Sequence, residues 1–181
     1  MQARHSDRKK YFNEQALTTR KYVIPYLHDL IEINENTSVL EIGCGEAGNL
    51  VPFLDMGCKR VVGIDISEGR IENGKLYHSD HPNYKNLELI AEDIYDTETT
   101  EEFDIIISRD VIEHIPNQEK FMNRCRDFMK PNGLYFIGFP PWHNPFGGHQ
   151  QLLKHKLFSK LPYFHIIPRS LYKGLLRLMG E

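Results

Sequence analysis

Five short apolar runs limit what this chain can fold into: residues 38–42, 60–65, 87–91, 103–108 and 134–139. Each is rich in Val, Ile, Leu or Phe and is bounded by turn formers. Runs that are hydrophobic on both faces suit parallel strands covered by helices. Helical candidates lie between them, at 48–56, 67–78 and 117–130. Ser67 is placed to N-cap the second, with Asp65 just before it; Pro131, Asn132 and Gly133 end the third and turn into the last strand. A further helix over about 8–31 precedes the first strand, and Pro25 is expected to kink or interrupt it. Strand–helix alternation at this spacing predicts right-handed βαβ units. The expected fold is α/β: a Rossmann-like, doubly wound parallel sheet with helices on both faces and five clear strands.

A chain of 181 residues is the size of one ordinary domain and can bury a proper core. Three segments are expected: a helical start at 1–34, an α/β domain at 35–142, and a loop and helical extension at 143–181. The net charge of −3 lacks the basic footprint that neutralises phosphates, so no nucleic-acid partner is expected. Met1 to Lys10 are polar and basic with no apolar stretch, which is not a secretory signal. No apolar run approaches the roughly 20 residues of a membrane-spanning helix. Cys44, Cys58 and Cys125 follow neither a zinc nor a disulfide pattern, so reduced thiols and a cytoplasmic location are expected.

The segment from Val39 to Gly48 reads as strand, glycine turn and helix start. It satisfies G-x-G-x-x-G, and Asp65 lies 22 positions past Gly43 at the end of the next strand. That pattern is also the fingerprint of a dinucleotide site. Glycines serve either kind of nucleotide for one reason: a backbone without Cβ lets the ligand lie against the turn. Charge separates the two. A pyrophosphate is drawn by unpaired N–H groups and the dipole at a helix N-terminus. Here Glu41 and Glu46 flank the loop and would repel it. They suit a ligand with an ammonium, a sulfonium and no phosphate, namely S-adenosylmethionine. Glu46 has a second reading, as a helix N-terminal charge that faces solvent.

The run from Val39 to Leu50 resembles the first motif of the class I S-adenosylmethionine-dependent methyltransferases. Val61 to Ser67 resembles that family's second strand, Ala91 to Ile94 the third, Phe103 to Asp110 the fourth, and Lys130 to Leu134 the turn into the fifth. The likeness covers about 35–140 and implies S-adenosylmethionine as cofactor. It implies that Gly43, Cys44 and Gly45 contact the methionine and ribose portions through backbone atoms, beside Glu41. Asp65 would accept from the ribose diol and Asp93 from the adenine amino group, with Ile94 nearby and Ile66 against the ring. Ser108 or Arg109 would line the methionine end. Each acid also has a plain reading, Asp65 as a cap of the following helix and Asp93 as a turn residue. The family's sheet usually has seven strands, whereas after Phe139 only 164–167 is strand-like. The last two strands are therefore expected to be missing or replaced by helices. That leaves an open edge, which invites a homodimer, or marks a fragment of a longer protein.

The activity implied is methyl transfer to a small-molecule acceptor. It is an in-line displacement from an already activated donor, so alignment and a dry cavity suffice unless the acceptor keeps its proton. Asp110, Glu113 and His114 stand at i, i+3 and i+4, one face if the stretch is helical. They resemble the Glu-x-x-Glu-His metal cluster of some ubiquinone-pathway O-methyltransferases and small-RNA methyltransferases. The first acid is Asp here and no further His ligand can be placed, so no metal is assigned. His114, His143 and His149 are the candidate general bases, against structural and loop-packing readings. The latter two lie with Phe139, Trp142 and Phe146 in a run that follows the fifth strand and so borders the acceptor. A catalytically inactive or regulatory binding module is the alternative, and a nicotinamide-dependent oxidoreductase the third reading.

From His143 onward the bases are Lys154, Lys156, Lys160, Arg169, Lys173 and Arg177, against Glu181 as the only acid. Leu171, Leu175, Leu176, Leu178 and Met179 make 170–180 a mostly apolar helix with a narrow basic strip. It reads as a helix packed on the domain, as a lid, or as a surface that meets a membrane or a partner.

Overall fold

The five apolar runs are strands of one parallel sheet: β1 (Ser38–Ile42), β2 (Arg60–Asp65), β3 (Leu87–Ala91), β4 (Phe103–Arg109) and β5 (Met129–Gly138), in the order β3-β2-β1-β4-β5. The computed structural model describes residues 7–98, 101–141, 143–145, 153–178 and 180. By contacts the chain divides into two compact units, Gln2–Gly138, which holds the sheet, and Phe139–Glu181.

Central β1 is buried at every residue, and its side chains alternate between two apolar layers. Val39, Val61, Ile105 and Ile107 pack with Leu27, Leu50 and Phe53 on one face. Leu40, Val62 and Ile106 pack with Phe121, Cys125 and Phe128 on the other. Strands β2 and β3 extend from β1 in one direction, β4 and β5 in the other. Ligands of open α/β sheets sit beyond the strand ends where the order reverses in this way.

Strand β5 starts earlier than its apolar run. Met129 pairs with Phe103, four residues then bulge outward, and Leu134 resumes the ladder opposite Ile105. Pro131 cannot donate to a ladder and Asn132 is left-handed (φ 66°), which accounts for the excursion. Lys130 Nζ ties it back to Asp104 Oδ2 at 2.9 Å.

The N-terminal helical run comprises α1 (Arg8–Thr18), a π-helical turn (Thr19–Val23) and α2 (Ile24–His28). The expected interruption takes the form of the π-helical turn, which ends just ahead of Pro25. The proline ring would clash with the carbonyl four residues back, and the wider turn just before it relieves that conflict. The glycine loop leads through a 3-10 turn (Gly48–Leu50) into α3 (Val51–Asp55); α4 (Glu68–His78) and α5 (Gln118–Arg126) follow β2 and β4. Asn117 caps α5, its Oδ1 accepting from Lys120 N at 3.0 Å. Ser67 occupies the N-cap position of α4 but its hydroxyl makes no capping bond.

The second unit contains α6 (Lys156–Ser159), a 3-10 turn (Phe164–Ile166) and α7 (Arg169–Leu178). The strand expected at 164–167 is therefore a helical turn. Tyr163 takes a left-handed backbone (φ 63°) that reverses the chain, and Phe164 turns inward between Phe158 and Tyr172. Among the described residues the sheet has five strands, and no helix is long and apolar enough to cross a membrane.

Candidate functional site

The loop after β1 is built for close approach. Gly43 and Gly45 are both left-handed, at φ 73° and 57°. A Cβ on Gly43 would overlap the Val111 side chain, so glycine is required there twice over. Val111 reaches this point because Asp110, also left-handed (φ 56°), turns the chain sharply at the end of β4 and donates its N–H to Gly138 O at 2.8 Å. This geometry removes the helical condition placed on Asp110, Glu113 and His114. Only Ile112–His114 form a single 3-10 turn, and the three side chains share no helical face. Among the described residues no three His, Cys, Asp or Glu groups converge to hold a metal.

Four of the loop's amides are already committed. Gly43 N and Cys44 N donate to Ile64 O at 2.7 and 3.1 Å, and Ala47 N donates to Cys44 O at 2.8 Å. Gly45 N donates to Asp65 Oδ2 at 2.8 Å. A pyrophosphate cradle needs such groups free and pointed at the ligand. Here they hold the turn and orient an acid instead. Asp65, 7% exposed, is clamped on both oxygens, since Oδ1 accepts from Ser67 N at 2.9 Å. Asp93 is held on one oxygen, its Oδ1 accepting from Tyr95 N at 3.0 Å. The plain reading of Asp93 as a turn residue is thus realised together with its place at a strand end, whereas Asp65 bonds the amide of Ser67, which itself holds the cap position of α4.

Both acids face one cavity of about 530 Å³ beyond the carboxyl ends of β1 to β4. Its walls carry four carboxylates, Asp65, Glu92, Asp93 and Asp110, against two cations, Arg70 and Lys120. Ile66 and Ile94 contribute apolar surface, and His114 stands on the β4 side. Lys120, its ammonium 4.2 Å from the centre of the Tyr95 ring, and Phe121 come from the first turn of α5. The sequence reading did not include Arg70, Tyr95, Val111, Lys120 or Phe121 in the site. The segment after β4 was marked in the sequence only through Asp110, Glu113 and His114, and Asp110 and His114 do line the cavity.

The two glutamates that flank the loop differ from each other. Glu46 is buried and bound by the Arg8 guanidinium, whose Nε lies 2.6 Å from Oε1. It therefore offers a ligand no unpaired charge and does not face solvent, which corrects both sequence readings. Glu41 lies on the other face of the sheet from Ile42 and is fully buried. Its Oε1 accepts from Asn49 Nδ2 at 2.6 Å, and its Oε2 has no hydrogen-bond partner. Burial, partly offset by Asn49 and Arg109, pushes its carboxyl up to about 8. Asn49 Oδ1 in turn accepts from Thr19 Oγ1 at 2.8 Å and Arg109 Nη1 at 2.7 Å. Arg109 thus points into a polar network shared with the π turn, while Ser108 on the opposite face is fully buried near Tyr135. Cys44 is buried, and burial raises its thiol well above the usual range.

His143 is exposed in the second unit; Trp142, Phe146 and His149 lie outside the described residues.

Residues 33–166 match the family model described as a methyltransferase domain. The chain belongs to that family. Curated relatives of this methyltransferase domain include the ubiquinone biosynthesis O-methyltransferase of Rhodopseudomonas palustris. It is 36% identical over 107 residues, which are 57% of this chain and 40% of the relative. The protein of the same name from Bradyrhizobium diazoefficiens is 32% identical over 99 residues, 55% of this chain and 38% of the relative. The chain thus spans about 40% of the length of the curated relatives it matches. Among solved structures, PKMT2 from Rickettsia typhi, in complex with AdoHcy, superposes with a TM-score of 0.55 at 26% identity, covering 81% of this chain and 29% of that one. A SAM-dependent methyltransferase from Geobacter sulfurreducens, in complex with S-adenosyl-L-homocysteine, gives 0.55 at 18% identity, covering 68% and 47%, and shares the fold.

Proposed function

We propose that this domain binds S-adenosylmethionine in the cavity beyond β1 to β4 and supports methyl transfer to a small-molecule acceptor. One observation carries the reading: four carboxylates wall a cavity whose glycine loop has spent four of its amides, those of Gly43, Cys44, Gly45 and Ala47, on its own turn, Ile64 and Asp65. Such a site favours a cationic, phosphate-free nucleoside over a dinucleotide.

The residues present fit that cofactor. Asp65 is held by two backbone donors and keeps further lone pairs on each oxygen for a ribose diol. Asp93 and Ile94 are placed for an adenine edge, and Ile66, 76% exposed, offers a face for the ring. When bound, the sulfonium supplies an activated methyl group. Gly43, Cys44 and Gly45 give close backbone approach, and Glu41 and Arg109 stiffen the strand ends beneath from the Asn49 network. Of the candidate histidines among the described residues, His114 lies on the cavity wall, where it would take a proton from an acceptor hydroxyl or amine.

Relatives named for O-methylation in ubiquinone biosynthesis support a small-molecule acceptor. Three buried free cysteines support a reducing, cytoplasmic setting. The partly exposed edge strand β5 supports pairing with a second copy. Calorimetry with S-adenosylhomocysteine tests the cofactor reading. Asp65→Ala should weaken binding by about tenfold or more, the loss of a charge-assisted bidentate contact. Unchanged affinity, or tight binding of NAD by the parent protein, would overturn it.

A further inference from the structure

We propose that α7 and the segment before it dock on the surface of an anionic lipid bilayer. This goes beyond the methyl-transfer reading and does not depend on it. Helix α7 separates its residues by chemistry. Arg169, Lys173 and Arg177, spaced four apart, form one flank, while Leu171, Leu175 and Leu178 form a row on another. The polar face is cationic throughout, since residues 153–180 hold six Lys and Arg and no Asp or Glu. Residues 1–152 carry 16 basic and 24 acidic residues, so the positive charge is concentrated in this segment.

The unit has an aromatic interior of its own, which leaves the leucines over. His155, Phe158, Phe164 and Tyr172 stack in series with centroids 4.9, 4.8 and 5.3 Å apart, and Phe164 is buried. Leu171 is 55% exposed and Leu178 85%. Leu157, Leu161, Tyr163 and Ile166 add exposed apolar surface from the same segment.

Charge complementarity selects the occupant. A polyanion such as nucleic acid would satisfy the cations and leave the leucines in water. A second copy packed segment to segment would bring six like charges against six, and one packed through its acidic body would leave the leucines against a charged surface. An anionic bilayer takes both at once: apolar side chains enter the acyl boundary while Lys and Arg stay at the headgroups.

Flotation of the full chain with vesicles tests this. Binding is expected to vesicles of phosphatidylcholine with phosphatidylglycerol, to be absent with phosphatidylcholine alone, and to fall as salt rises. Each basic residue contributes about fivefold at low ionic strength, so the Lys173→Glu, Arg177→Glu pair should bind at least about 25-fold more weakly. Leu171→Asp with Leu178→Asp should lose binding with the charges intact. An unchanged melting temperature and circular dichroism in both variants would show that the fold persists. No partition of the parent chain onto anionic vesicles, or partition of both variants equal to the parent's, overturns the proposal. So does duplex DNA binding that survives the leucine changes, or a dimer that they dissolve in the absence of vesicle binding. Loss of cofactor affinity in Asp65→Ala with vesicle binding retained would keep the two proposals distinct.

Discussion

Glu41, Glu46 and Asp65 lie within 25 positions of one another and look alike in sequence, yet folding gives each a different chemistry. Glu46 is spent on Arg8. Glu41, buried with only an amide donor on one oxygen, holds its proton up to about pH 8. Only Asp65 combines a place on the cavity wall with two backbone donors that fix its carboxylate. The repulsion first assigned to a pair of loop glutamates therefore falls to the acids at the strand ends. His114 makes the corresponding prediction on the acceptor side. His114→Gln should lower kcat by about a hundredfold, the scale of lost general-base assistance, while S-adenosylhomocysteine affinity stays within about twofold. A matching loss of affinity in calorimetry would instead mark it as a binding residue.

The N-terminal run, though outside the motifs, forms the back wall of the glycine loop. A Cβ on Gly48 would strike the Phe12 carbonyl, and the Phe12 ring meets Tyr77 and His78 edge-on. His78 completes the contact by hydrogen bonding Ala47 O at 3.1 Å. The π turn brings Thr19 to Asn49, and α1 brings Arg8 to Glu46. Arg8→Ala leaves a buried carboxylate unpaired and should cost about 3 kcal/mol in denaturant unfolding, whereas adding Glu46→Gln should recover most of it. If Arg8→Ala unfolds like the parent protein, the pair contributes nothing to holding α1 on the loop. These roles were not legible in advance, because an Arg, a Thr and an Asn far apart in sequence carry no periodicity that names their partners.

Across the whole molecule two buried groups set opposing pH dependences. Burial lowers His78 from 6.5 to about 4, so the unfolded chain takes up a proton first and stability falls as pH drops through that window. Burial raises Glu41 from 4.5 to about 8, so the unfolded chain loses a proton first and stability falls as pH rises. Between 4.5 and 6.5 the two slopes cancel. Above that range the Glu41 slope acts alone and should remove about 2 kcal/mol by pH 8. Urea melts at pH 6 and 8 check this, and Glu41→Gln should flatten the alkaline arm; an arm unchanged in that variant would assign the loss elsewhere. The α/β class, the first three strand boundaries and the glycine turn were readable from sequence because two-face burial and backbone freedom are local demands that leave local signatures. Residues 164–167 misled for the same reason: an apolar run satisfies strand and helical turn alike until Tyr163 reverses the chain. Which carboxylate keeps its charge, which amides remain free and which cations are already paired depend on neighbours brought together across the sheet, and folding alone decided them.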